Sequence, residues 1–157
     1  MSLWHPLKFI SFGVFPSDHI EILDDLAGDL SPTITGTVFA PSKLFDDDTS
    51  TATYFDSVGE YAELEFKLPI ILLGYRHYGW DLNVGDGSFK IQYHDGDKWI
   101  DLKTGISTRD ESWSSIDYTS PKIVKGRKIR IVVTEIDSQG NSWSAEWEFY
   151  GLLAHLE

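Results

Sequence analysis

The chain contains no cysteine, which removes disulfide scaffolds, thiolate metal sites and a cysteine nucleophile without fixing a compartment. Positive charge is scarce: 13 Lys and Arg stand against 25 Asp and Glu, a formal net charge of -12. Binding a phosphate backbone needs a basic footprint, and so does docking on anionic lipid, so neither nucleic acid nor such a membrane is an expected partner. Long apolar runs are also missing. The stretch FISFGVF, residues 9–15, is too short to span a bilayer and no cleavage pattern follows it. It is therefore read as neither anchor nor signal, and no membrane insertion is expected. Nor is there a low-complexity segment or an internal repeat.

What is present describes a globular unit. A length of 157 residues with 41% hydrophobic and 24% charged residues suits one domain with a closed core. Aromatic residues are abundant, with six Trp, seven Tyr and nine Phe. Such a surplus supplies a core and leaves rings for a binding surface. The Met-Ser-Leu start and Leu-Glu end resemble vector-encoded residues, which fits a module cut from a larger protein.

Residues 1–32 read as an extension leading into the domain. Asp18 with Glu21 forms a capping-box pattern, and Ile20, Leu23 and Ala27 share one helical face before Gly28. That predicts a short helix, with an irregular segment packed on the domain as the alternative. From residue 33 onward the period is two. Ala62, Leu64, Phe66 and Leu68 alternate with polar residues in YAELEFKL, and Ile129, Ile131 and Val133 do so in RKIRIVVTEI. In SFKIQYH, Phe89, Ile91 and Tyr93 share a face, and the following His94-Asp95-Gly96-Asp97 marks a hairpin returning through KWIDL. Asp-Gly accepts the positive φ of such a turn. Short strands between turn-rich segments predict an all-β fold, an antiparallel β-sandwich over residues 33–157, with function on its loops.

Two groups of residues call for chemistry. In LFDDDTST, Asp46, Asp47 and Asp48 crowd like charges into one loop. Asp46, Asp48 and Thr51 offer carboxylate and hydroxyl oxygens suited to a hard cation such as calcium, although the spacing is not that of an EF-hand. A solvated acidic turn is the alternative. The second group mixes aromatic and hydrogen-bonding side chains. YRHYGWDLN brings Arg76, His77, Trp80, Asp81 and Asn83; DSQGNSWS brings Asn141 and Trp143; STRDESWSS brings Arg109 and Trp113. Sugars need that mixture, a ring face for their C–H patch and polar groups for their hydroxyls. Trp80 serves equally well as core, His77 as a strand-edge histidine, and Trp147 with Phe149 is assigned to the interior. Trp143, after a glycine and two small polar residues, is the ring expected to be exposed.

Three stretches together resemble the discoidin, or coagulation-factor C-type, domain of the galactose-binding-domain-like superfamily, nearest its carbohydrate-binding modules. LFDDDTST is similar to Ala-Phe-Asp-Gly-Asp-Pro-x-Thr, SFKIQYHDGDKWIDL contains the central hairpin pattern, and AEWEFYG is similar to Ala-Glu-Ile-Glu-Val-Tyr-Gly. The likeness covers roughly residues 33–151. It implies a jelly-roll sandwich and a structural calcium bound by Asp46, Asp48, Thr51 and the Lys43 carbonyl, with Glu146 pinning the loop. It also implies a sugar site using His77 and, three residues on, Trp80, with Trp143 from the last loop and Trp99 in the core. Asp47 stands where the family has glycine, and Tyr54-Phe55 where it has Trp. Leu82 occupies the place of an arginine common in galactose binders, which weakens the expectation of galactose itself.

No P-loop, HExxH, nucleophile elbow or dinucleotide fingerprint occurs. The expected function is therefore a non-catalytic glycan- or glycoconjugate-binding module with structural calcium, a role that suits an accessory domain of a larger glycoside-active enzyme. The alternative is a protein-interaction or adhesion module, for example of a phage or virion appendage. An extracellular, cell-surface or virion setting suits both.

Overall fold

The computed structural model describes residues 20–80, 87–136, 140 and 142–153. Two antiparallel sheets face each other. The first has five strands in the order β2-β4-β9-β6-β7 and the second four in the order β1-β11-β5-β8. The first comprises β2 (Thr33–Gly36), β4 (Tyr61–Glu65), β9 (Lys128–Glu135), β6 (Ser88–His94) and β7 (Trp99–Ser107). The second comprises β1 (Glu21–Ile22), β11 (Glu146–Leu153), β5 (Ile70–Tyr78) and β8 (Asp117–Val124). A separate two-stranded ribbon pairs β3 (Thr53–Phe55) with β10 (Ser142–Ser144).

The alternation predicts the core well. Ala62, Leu64, Phe89, Ile91, Ile129, Ile131 and Val133 are fully buried, facing Ile70, Leu72, Trp147 and Phe149 of the other sheet. Side chains at every second position meet between the layers and exclude water there, which supplies the main driving force for folding. Leu68 departs from the pattern and is exposed. β4 has ended by Glu65, and the Phe66 amide already bonds the Arg127 carbonyl. The hairpin after β6 forms as expected: Asp95 Oδ1 accepts the amides of Asp97 at 2.8 Å and Lys98 at 2.9 Å, and Gly96 takes φ +104°. Trp99 differs from its expected core role. It lies half-buried beneath Arg130, whose guanidinium is 4.0 Å from the ring, on the face opposite Ile129 and Ile131.

The extension adopts the irregular alternative over its described part. Glu21–Ile22 pairs with β11, and single 3₁₀ turns follow at Leu23–Asp25 and Gly28–Leu30. Leu23 is buried in the main core, and Asp24 Oδ1 accepts the Phe149 amide at 2.9 Å. Asp18 lies outside the described residues. Among the described residues no helix is long and apolar enough to cross a membrane.

Candidate functional site

The β3–β10 ribbon carries the most distinctive surface. Its register sets Tyr54 opposite Trp143, with Thr53 and Phe55 turned inward and buried. The Tyr54 and Trp143 rings lie 5.1 Å apart. Trp80 extends the row on one side, 6.3 Å from Trp143 at an interplanar angle of 19°, and Phe39 on the other, 6.0 Å from Tyr54 at 21°. Phe39 is 63% exposed, and the other three rings are half-buried. Four aromatic side chains thus run along one end of the sandwich. Exposed rings in a continuous row are unusual on a surface with no partner.

Buried polar contacts fix this row. The Trp80 amide bonds the Thr108 carbonyl at 2.9 Å, and the Thr108 hydroxyl donates to the Trp143 carbonyl at 2.7 Å. Gly79 permits the approach, because a Cβ there would fall 2.2 Å from that Thr108 oxygen. Thr108, Phe39 and Tyr54 were not among the residues picked from the sequence. Apart from the aromatic pair Tyr54-Phe55, none of the three carries a local signal.

Beside the ribbon lies an acidic junction. Asp47 adopts φ +63°, the left-handed conformation in which Asp replaces glycine at modest cost. Its amide donates to Glu146 Oε2 at 3.0 Å, joining the loop to the first residue of β11. Glu146 is fully buried, and its Oε1 has no partner among the described residues. Burial pushes the Glu146 carboxyl up to about 9, against the Asp47 amide; the nearby Asp46 and Asp24 carboxylates add to the rise. Asp24 is likewise pushed up to about 7, mainly by burial, and its Oδ2 is unpartnered among the described residues.

The loop itself is knitted tightly. The Thr51 hydroxyl donates to Asp46 Oδ2 at 2.8 Å and lies 3.1 Å from the Asp48 carbonyl. The Asp48 carboxylate instead accepts the Ser50 amide at 2.9 Å and the Ser50 hydroxyl at 2.5 Å, so it is the Asp48 carbonyl that shares Thr51 with Asp46. Lys43 sits just ahead, in the 3₁₀ turn Pro41–Leu44. Among the described residues no three His, Cys, Asp or Glu side chains form a metal-binding group. A cation here would therefore rely on Asp46, Glu146, the Thr51 hydroxyl and carbonyls. The orphaned, buried Glu146 oxygen beside a second carboxylate fits that donor set.

The remaining predicted residues divide. Arg76 points to the outer face of the four-stranded sheet, where it pairs with Glu148 at 2.6 Å and lies 3.8 Å from the Trp113 ring. His77 faces the opposite way and packs on Trp147, with ring centroids 5.0 Å apart. Its Nε2 lies 3.0 Å from the Ser107 carbonyl and so carries the proton. Burial lowers the His77 pKa, against that carbonyl, keeping the ring neutral. The structure therefore joins Trp80 with Trp143 but brings neither Arg76 nor His77 to the row. Asn83 and Asn141 lie outside the described residues.

No family model and no curated protein matches the chain, but solved structures match its fold. A pectin-binding carbohydrate-binding module superposes with a TM-score of 0.62 at 17% identity, over 78% of this chain and 91% of that one. The family 32 module of AlyQ, solved with 4,5-unsaturated mannuronic acid, gives 0.62 at 15%, over 79% and 97%. The family 32 module of C. perfringens NanJ, solved with galactose, gives 0.62 at 13%, over 76% and 93%. These likenesses show the fold: the chain has the antiparallel β-sandwich that these carbohydrate-binding modules share.

Proposed function

We propose that the chain is a non-catalytic glycan-binding module of discoidin-like kinship, whose contact surface is the row Phe39, Tyr54, Trp143 and Trp80. The observation that carries this reading is the row itself, four adjacent rings at one end of the sandwich, two of which, Trp80 and Trp143, are tied together through Thr108. Aromatic faces and edges take up the C–H patches of sugar rings, and the flanking loops supply hydrogen bonds. Solved modules of the same fold hold galactose or an unsaturated mannuronic acid, which supports a saccharide ligand. One solved protein joins such a module to an alginate lyase domain, and this chain would serve beside a catalytic domain in the same way.

A structural calcium belongs to the proposal. Bound at the acidic junction, it would neutralise Asp46 and Glu146 and hold the ribbon that carries Tyr54 and Trp143 to β11. Titration with oligosaccharides, followed by NMR, tests the glycan reading. Binding in the millimolar to micromolar range is expected, with Trp143→Ala and Trp80→Ala weakening it about tenfold or more. Saturable binding unchanged in both variants would remove the row from the site.

A further inference from the structure

The two sheets end side by side in β7 and β8, the terminal strands of the five- and four-stranded sheets, which are not hydrogen-bonded to each other. Between them opens a cleft of about 430 Å³, a volume within the range of small-molecule sites. It is separate from the aromatic row, none of whose four rings lines it. Its polar groups come from both sheets. Lys103 on β7 reaches across the mouth to Asp117 on β8 at 3.6 Å. From the floor, on β5, the Tyr75 hydroxyl donates to the same Asp117 carboxylate at 3.1 Å.

His77 stands beside Tyr75 on the floor, clamped between the Ser107 carbonyl and, through its amide, the Ser114 hydroxyl at 3.0 Å. Ile106 and Ile116 add apolar wall. Three features define what fits. Lys103 and Asp117 cancel each other, and His77 is neutral, so the lining carries no net charge. Donors and acceptors are both present: an ammonium, a carboxylate, a phenol and serine hydroxyls. The walls between them are apolar. A ligand that is uncharged, offers both donors and acceptors, and has a C–H surface satisfies all three. A uronate or an amino sugar would have to break the Lys103–Asp117 pair to find a counter-charge there, which a neutral sugar need not do.

We propose that the β7–β8 cleft is a second ligand site, taking a neutral sugar unit, so that one module engages a branched or multivalent glycan at two places. Only the choice of a saccharide rests on the glycan-binding reading of the aromatic row; the cleft and its charge balance do not. Two sites on one rigid sandwich raise apparent affinity for a glycan that spans both, although each alone is weak.

The test is an NMR titration of the isotope-labelled 157-residue chain with galactose, N-acetylgalactosamine and mannose, with sodium galacturonate and glucosamine as charged counterparts. The readouts are the amides of Ile106, Ser107 and Ile116 for the cleft, and the indoles of Trp80 and Trp143 for the row. Saturable cleft shifts with a neutral sugar are expected to persist in Trp143→Ala. They should vanish in Ser115→Trp, which fills the mouth from an exposed position, and to weaken about tenfold in Asp117→Asn, which removes a charged acceptor. Row shifts without cleft shifts would overturn the second site and leave the first. Cleft shifts without row shifts would uphold the second site and overturn the first. Silence at both would overturn both, and stronger cleft binding by galacturonate or glucosamine would overturn the neutral-ligand assignment.

Discussion

The acidic junction and the aromatic row stand next to each other on the same pieces of chain. Thr51 and Glu146 belong to the junction, while Tyr54 and Trp143 sit a few residues inside them on the ribbon. In the junction, ionisable carboxyls have been taken out of water: Glu146 is fully buried, with one oxygen unpartnered among the described residues. In the row, apolar groups have been left in it, Phe39 above all. Burying a carboxyl with an unpartnered oxygen is costly, and so is exposing rings. Each region is thus locally unfavourable, but the remedies differ. On the function proposed above, a cation inside the molecule would relieve the first and a ligand outside it the second, so that one region would serve stability and the other recognition.

The largest expected effect separates them directly. With calcium about a thousandfold above its Kd, stability should rise by about 4 kcal/mol, on the order of 10 °C in Tm for a chain of this size. A chelator should reverse it, and Glu146→Gln should abolish most of it. A Tm indifferent to calcium and chelator would leave the junction as a plain acidic turn.

The pH dependence of the metal-free protein comes next. Glu146 moves from 4.5 to about 9 and Asp24 from 3.8 to about 7 on folding. The folded state therefore holds protons that the unfolded chain has released. Metal-free stability should fall as pH rises from about 4 through about 9, more steeply while both groups still differ between the states. Glu146→Gln should flatten this slope, and melts between pH 5 and pH 8 in chelator would show it. Stability rising over that interval would mean that burial does not govern these carboxyls.

Substitutions in the row should give the opposite signature. Trp143→Ala is expected to weaken glycan binding by about 1.4 kcal/mol or more, a factor of ten, while leaving the calcium-induced shift in Tm intact. Loss of that shift would show that row and junction are one structural unit. The smallest effect is at Asp47. Replacing it with glycine relieves its left-handed conformation and keeps the amide that Glu146 accepts, so a gain of about 0.5 kcal/mol is expected, opposed by the greater freedom of unfolded glycine. Chemical denaturation reads it, and a loss of stability would show that the Asp47 carboxylate contributes to the junction.

Much of the scaffold was legible because strand alternation is a local property. Ile129, Ile131 and Val133 declare a buried face by spacing alone, and Asp95-Gly96 declares its turn by the φ it tolerates. The site was legible only in parts. Trp80 and Trp143 could be picked out as rings beside loops, yet nothing local says that Phe39 and Tyr54 complete their row or that Thr108 pins both tryptophans. Arg76 is grouped with Trp80 as its neighbour in sequence, and His77 also by the three-residue spacing that the resemblance implies. On a strand, neighbours point to opposite faces, and so Arg76 went to Glu148 on the outer surface and His77 to the cleft.

By itself the sequence determined that this is an acidic, cysteine-free β-sandwich with an oxygen-rich loop and more aromatic rings than a core requires. These are matters of composition and of period two, which no partner far along the chain can alter. Only the tertiary structure decided which oxygens and rings meet. The Asp47–Glu146 contact spans 99 positions of sequence, and the cleft exists because two edge strands from different sheets end beside one another. Such meetings depend on how the sheets are ordered and packed, which is fixed by the whole chain at once.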